Sequence, residues 1–124
     1  MAFVILVVED NEMNRDMLVR RLRKRNFQVL TAAHGEAAVA LARQDKPDLI
    51  LMDMRMPIMD GWTAVKLLKE IPETRDIPVI GVSANGLQDD REQALAAGCS
   101  AYETKPIDFN RLLGLIQEFA PKAS

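Results

Sequence analysis

Cysteine and histidine each occur once in the 124 residues, as Cys99 and His34. A lone cysteine excludes an internal disulfide framework, and the two residues cannot build a cage of clustered Cys and His metal ligands. An excess of positive charge is also missing. Sixteen Lys and Arg face 18 Asp and Glu, giving a net charge of −2 and a pI near 5.4. That balance excludes the broad basic footprint of a protein that binds nucleic-acid backbones, so any basic patch is local. Long apolar runs are absent too. The longest near the start, Phe3 to Val8, lacks a basic lead-in and stops at Glu9 and Asp10, so it is neither a signal peptide nor a membrane span. No repeat, low-complexity tract or Gly/Pro-rich linker interrupts the chain. A composition with 48% hydrophobic residues then describes one soluble domain over residues 1–124 with a single core, expected in the cytoplasm.

The apolar pattern alternates between two periods. Phe3 to Val8 is continuous, as in a strand buried on both faces, and Met13, Met17, Leu18 and Leu22 follow at the spacing of one helical face. The alternation repeats with Gln28 to Thr31 before Ala37 to Leu41, then Leu49 to Met52 before Trp62, Val65, Leu68 and Ile71. Val79 to Val82 reads as a fourth strand, before a helix from about Leu87 to Ala97 that stops at Gly98, a residue suited to the left-handed turn past a helix end. Ala101 and Tyr102 suggest a fifth strand. Asp108 supplies a helix N-cap, and Phe109, Leu112, Leu113 and Ile116 form the clearest helical stripe. Five alternations predict an α/β fold, a doubly wound five-stranded parallel sheet with helices on both faces. Pro47 and Pro78 stand at strand entrances, where a missing N–H does least harm.

In such a sheet the ligand crevice lies beyond the carboxyl ends of the strands, where the strand order reverses. The first strand ends in Glu9 and Asp10, the third in Asp53 and the fourth in Ser83, while the fifth runs into Lys105 and Pro106. Carboxylates gathered there repel by about 4 kcal/mol per close pair at an effective dielectric near 20. A hard divalent cation compensates best. Mg²⁺ takes oxygen ligands, keeps several waters and typically uses one or two carboxylates with phosphate oxygens. Lys105 can neutralise part of the remainder. Any one of these acids alone could simply cap a helix or solvate a loop; together, at several strand ends, they point to a site.

On these residues the sequence resembles the receiver domain of two-component response regulators over essentially its whole length. Glu9 and Asp10 are similar to the family's acidic pair, and Asp53, within Asp53-Met54-Arg55-Met56-Pro57-Ile58-Met59-Asp60-Gly61, to its phosphoacceptor motif. Ser83 stands for the family's Thr or Ser, Tyr102 for its switch aromatic, and Lys105 with Pro106 for its Lys-Pro pair, joined in the family by a cis bond. The resemblance implies the flavodoxin-like strand order 2-1-3-4-5. It also implies a phosphoacceptor switch, not an enzyme with a separate substrate, that promotes its own phosphorylation and dephosphorylation. Asp53 would accept a phosphoryl group from a histidine kinase or histidine phosphotransfer protein. Asp10, Asp53 and the backbone carbonyl of Arg55 would hold Mg²⁺, or Mn²⁺ in its place, with Glu9 contributing through water. Lys105 and Ser83 would hold phosphoryl oxygens, and Ser83 with Tyr102 would pass the change to the fourth helix, fifth strand and fifth helix, the expected surface for a downstream protein. Arg55 and Asn85 occupy positions that tune the lifetime of the acyl phosphate, and Gly86 adds backbone freedom beside Asn85. Met1 directly before the first strand and the brief tail from Pro121 to Ser124 favour a stand-alone receiver without an effector domain over a receiver cut from a longer protein; the expected form is a monomer or weak dimer that binds neither nucleic acid nor membrane.

Other features have plainer readings. Arg20, Arg21, Arg23, Lys24 and Arg25 read first as the solvated face of a helix, and second as a surface that docks the phosphodonor. Met52, Met54, Met56 and Met59 read as adaptable packing around Asp53. Trp62 reads as core, near enough to Asp53 for its fluorescence to sense the site, and Cys99 as a small buried residue. His34, beside Gly35 in a loop, lacks the helical setting of a phosphodonor. A flavin carrier on this fold is excluded by Glu9, Asp10 and Glu12 where a phosphate-binding loop is needed. An aspartate-nucleophile phosphatase wants a second acid where Arg55 stands. The remaining alternative is a receiver-like scaffold that binds partners without phosphorylation.

Overall fold

The structure, a computed structural model, describes residues 3–56, 58–83 and 88–120, the side chains of 88–90 aside. Asn85, Gly86 and Leu87 lie outside the described residues. Five strands, β1 (Val4–Val8), β2 (Gln28–Ala32), β3 (Leu49–Asp53), β4 (Val79–Ser83) and β5 (Ala101–Thr104), alternate with five helices, α1 (Glu12–Lys24), α2 (Gly35–Asp45), α3 (Gly61–Glu70), α4 (Gln88–Ala97) and α5 (Phe109–Phe119). The strands pair in parallel in the order β2-β1-β3-β4-β5. The chain therefore leaves β1 toward one edge and returns to build the other, which places the switch point between β1 and β3.

Successive strand residues point to opposite faces, and the core divides accordingly. Ile5 and Val7 of β1 join Leu18, Val19 and Leu22 of α1 and Leu112 and Ile116 of α5 on one face. Leu6 and Val8 join Ala38 and Ala42 of α2, Ala64, Val65 and Leu68 of α3, and Ala94 and Ala97 of α4 on the other. The small residues on α2 and α4 let those helices lie close to the sheet. Helix starts follow the expected chemistry: Asp108 accepts from Arg111 N at 3.2 Å, and Gly98 takes φ +123° past α4. β3 and β4 each run one residue further than the apolar runs suggest, because parallel pairing continues through polar positions, as in Asp53 with Val82 and Ser83 with Thr104, and β2 runs on to Ala32 opposite Val8.

One expectation fails on α1. Met13 and Met17 do not share the buried face of Leu18 and Leu22: they are 81% and 48% exposed, and Val19 takes the core position instead. Spacing at 3.6 residues fits a stripe of either set, and only the sheet decides which one is covered. Arg20, Arg21, Arg23, Lys24 and Arg25 are all exposed, as expected of a solvated face. Cys99 is buried, and burial pushes its thiol up to about 12, so it packs as a small apolar group. Trp62 is half-buried at the edge of the core.

The start of α3 is pinned to the end of β3. Gly61 N donates to Met54 O at 3.0 Å, and a Cβ at Gly61 would stand 2.6 Å from Met54 Cα and 2.8 Å from Asp53 O. Those neighbours are backbone and cannot swing aside. Gly61→Ala is therefore expected to cost about 2 kcal/mol, by overpacking, in urea unfolding followed by circular dichroism. A change within about 0.5 kcal/mol, the range of an ordinary surface substitution, would mean that this approach is looser than the structure shows.

Candidate functional site

Val8 of β1 is the register partner of Met52 of β3, so the next residues, Glu9 and Asp53, stand side by side at the carboxyl edge of the sheet. Glu9 stays on the ladder through its N–H, which donates to Ala32 O at 3.1 Å. Both side chains are buried, at 3% and 5% exposure, whereas Asp10 turns outward. One oxygen from each of Glu9, Asp10 and Asp53 lies within 4.8 Å of the others.

Lys105 closes the group from the far side of the sheet. Its backbone N–H donates to Ser83 O at 2.7 Å, and its bond to Pro106 is cis. The ammonium donates to Glu9 Oε1 and Oε2, both at 3.2 Å, and sits 3.5 Å from Asp53 Oδ2. Ser83, fully buried, ends β4 one residue beyond the partner of Asp53. Tyr102 on β5 is buried in the core cluster that contains Ala94 and Ala97 of α4. Arg55 N donates to Asp53 Oδ1 at 3.2 Å, while its guanidinium lies over the Trp62 ring, 5.1 Å from the centroid.

The arrangement brings Glu9, Asp10, Asp53 and Lys105 into direct proximity, with Ser83 on the same edge and Arg55 at the rim. Several participants were not evident from sequence. Asn14 Nδ2 donates to Glu9 Oε1 at 3.3 Å and Arg15 Nη1 to Glu9 O at 2.9 Å, so the first turns of α1 orient the buried acid. The signal that could have found them is the helix start itself, since Asn11 caps α1 by accepting from Asn14 N at 2.9 Å. His34 has a structural role: its Nδ1 accepts from Ala37 N at 3.2 Å and caps α2.

The donor set suits a hard cation. It offers only oxygens, and their spread is close to the about 4.2 Å that separates opposite ligands of an octahedral Mg²⁺. It is also electrostatically unbalanced. Burial first, then the hydrogen bond and negative charge of Glu9, push the Asp53 carboxyl up from 3.8 to about 7, against the opposing pull of Lys105 and the Arg55 N–H.

A fold and crevice of this kind define a doubly wound α/β module with an acidic, cation-suited site at its switch point, and comparison with known proteins supplies the family. The response regulator receiver domain family model matches residues 5–117. The chain belongs to that family. It is 45% identical over 108 residues to the response regulator PleD of Caulobacter vibrioides, which covers 87% of this chain but only 24% of PleD. It is 36% identical to the polar-differentiation response regulator DivK of Brucella anthropi, covering 93% of this chain and 94% of DivK. Among solved structures, the receiver domain of the sensor histidine kinase PA1611 from Pseudomonas aeruginosa superposes with a TM-score of 0.89 at 36% identity, covering 96% of this chain and 98% of that one; it has a magnesium ion coordinated in its active-site cleft. The receiver domain of Ssk1 from Saccharomyces cerevisiae, solved with the histidine phosphotransfer protein Ypd1, gives 0.87 at 28% identity, covering 95% of this chain and 88% of that one.

A raised carboxyl has a definite effect on stability. Between an unfolded value near 3.9 and a folded value of about 7, the native state holds a proton that the unfolded chain has released, so without metal stability falls as pH rises through this window and stays low above it. Asp53→Asn removes the buried charge and is expected to stabilise the metal-free protein at pH 8 by about 1–2 kcal/mol, with the gain shrinking toward pH 5. Urea unfolding in EDTA at both pH values checks this; an equal loss of stability at both would contradict it.

Proposed function

We propose that this chain accepts a phosphoryl group on Asp53 from a phosphohistidine of a histidine kinase or histidine phosphotransfer protein and switches its partner-binding surface in response. The observation that carries this reading is the Asp53 carboxylate, buried beside Glu9 and Asp10 with Lys105 3.5 Å away. Asp10, Asp53 and the backbone carbonyl of Arg55 would hold Mg²⁺, with Glu9 through water and Mn²⁺ as a substitute. When bound, the cation neutralises the clustered carboxylates and the incoming phosphoryl oxygens. The magnesium in the PA1611 receiver supports this assignment.

An Asp53 oxygen attacks phosphorus, the P–N bond to the donor imidazole breaks, and the leaving imidazole takes a proton. In a loose phosphoryl-transfer transition state the work is positioning and charge stabilisation. Lys105 supplies the mobile positive charge: it moves from Glu9 and Asp53 toward the new phosphoryl oxygens, and the Ser83 hydroxyl donates to another. Hydrolysis reverses the modification, as water attacks phosphorus and inorganic phosphate leaves Asp53. This autodephosphorylation is slow or fast according to Arg55, at the rim, and Asn85, which lies outside the described residues.

The donor approaches over α1 and the loop after β5. Exposed Met17 borders an apolar groove of about 470 Å³ lined also by Leu18, Pro106, Ile107 and Phe109, and it opens beside Glu9 and Lys105. The Ypd1–Ssk1 complex supports a phosphotransfer partner. Once phosphorylated, Asp53 draws Ser83 inward and resets the packing of Tyr102, which carries the change to α4, β5 and α5, where the downstream protein binds. The single receiver unit acts in the cytoplasm by protein contact, as a monomer or weak dimer.

Incubation with Mg²⁺ and acetyl phosphate is expected to add one phosphoryl group by intact mass to the wild type and none to Asp53→Asn, and EDTA is expected to abolish the gain. Equal gain in both proteins would remove Asp53 as the acceptor. No gain with acetyl phosphate or with a phosphorylated donor protein would favour a phosphorylation-independent scaffold.

A further inference from the structure

Glu9 has its backbone pinned on both sides. Its N–H donates to Ala32 O at 3.1 Å, and its carbonyl accepts from Arg15 Nη1 at 2.9 Å. Only the side chain is left to be set, and two nitrogen donors reach it. Lys105 Nζ donates to both carboxylate oxygens at 3.2 Å, and Asn14 Nδ2 donates to Oε1 alone at 3.3 Å. Asn14 is itself held: its backbone N–H donates to the Asn11 cap at 2.9 Å, so its amide leaves α1 from a fixed point. The amide nitrogen, not the oxygen, faces Glu9, because two acceptors at this distance repel.

The two donors differ in charge. Lys105 holds Glu9 with a full positive charge, which a divalent cation among the same oxygens repels. Asn14 holds it with a neutral amide, which the cation leaves in place. The distinction matters for a carboxylate that is only 3% exposed, since a buried charge stripped of its donors is costly and has nothing to orient it.

We infer that Asn14 is a positioning residue for the cation: it keeps Glu9 Oε1 on α1, so that Oε2 is presented to the crevice when Lys105 lets go. This rests on the reading that Glu9 serves Mg²⁺ through water. Groups that orient a metal's ligands contribute about ten- to a hundredfold in affinity, and Asn14, acting on a ligand that works through water, belongs at the lower end.

Binding of Mg²⁺ alone, with no phosphodonor, reads this directly. Nitrogen-15-labelled protein at pH 8 is titrated with magnesium chloride and followed by its amide chemical shifts, which also report whether α1 is intact. Asn14→Ala keeps the backbone bond to Asn11 and favours the helix, so no loss of α1 is built into it. It is expected to weaken Mg²⁺ binding about tenfold. Asn14→Gln, which keeps the amide on a longer stem, is expected to lie between Asn14→Ala and the wild type. In a Glu9→Ala background, Asn14→Ala is expected to change the affinity by less than about twofold, because a residue that acts through another loses its effect once that one is gone. An Asn14→Ala affinity within about twofold of the wild type, or an equal loss in both backgrounds, overturns the inference and leaves phosphorylation of Asp53, read by intact mass, untouched. A wild type whose crevice amides do not shift with Mg²⁺ overturns the cation assignment and this inference together. Should Asn14→Ala fail to fold, Asn14→Leu, close in shape and without a donor, carries the same expectation.

Discussion

The structure turns on the burial of one carboxylate against another. Glu9 and Asp53 emerge from adjacent parallel strands at the same level, and both lie out of water. Taking two like charges into a low-dielectric edge is costly unless a proton, an ammonium or a metal ion balances them. Lys105 is the balance within the chain, and it reaches the pair because β5 lies two strands away from β3 in the same sheet. The strand order, the tie from Lys105 N to Ser83 O and the α1 contacts to Glu9 all bear on this one neighbourhood. A crevice with an unbalanced acid group at its base and a movable cation at its wall is suited to receive a doubly charged oxyanion with a divalent metal, and much less suited to a neutral ligand.

The same geometry accounts for how a local event could spread. The ends of β3 and β4 are neighbours, and the end of β4 is bonded to the exit of β5. Any rearrangement of oxygens at Asp53 therefore meets Ser83 and Lys105 before it meets solvent. Tyr102 lies on β5, three residues before Lys105, which follows the strand, and belongs to the cluster shared with α4. On the opposite rim, Gly61 N donates to Met54 O and holds the start of α3 against the end of β3, and the Arg55 guanidinium lies over Trp62 there.

Much of this was legible in the sequence. The strands showed as apolar runs with chemistry at their ends, and the parallel order makes those ends converge, so Glu9, Asp10, Asp53, Ser83 and Lys105 could be read together from their places alone. The helical stripe of α5 and the turn at Gly98 were equally clear, because each rests on local rules of period and backbone conformation. The misplacement of Met13 and Met17 shows the limit of those rules: period selects a stripe, while the neighbouring element decides which stripe is covered. The links from Asn14 and Arg15 to Glu9, the grip of Lys105 on two acids and the stacking of Arg55 on Trp62 join side chains across turns or strands. They depend on distances that spacing does not encode. The cap that His34 provides is not visible in the sequence, because capping by a ring nitrogen is uncommon beside capping by Ser, Thr, Asp or Asn.

The claim that Asp53 receives the phosphoryl group is tested most directly by marking the acceptor atom itself. Borohydride cleaves an acyl phosphate reductively and leaves an alcohol in place of the carboxyl group. Phosphorylated protein treated in this way and mapped by peptide mass spectrometry is expected to carry a single homoserine, at position 53, and protein that was never phosphorylated is expected to carry none. A reduced side chain at Glu9 or Asp10, or at any acid outside the crevice, would contradict the account.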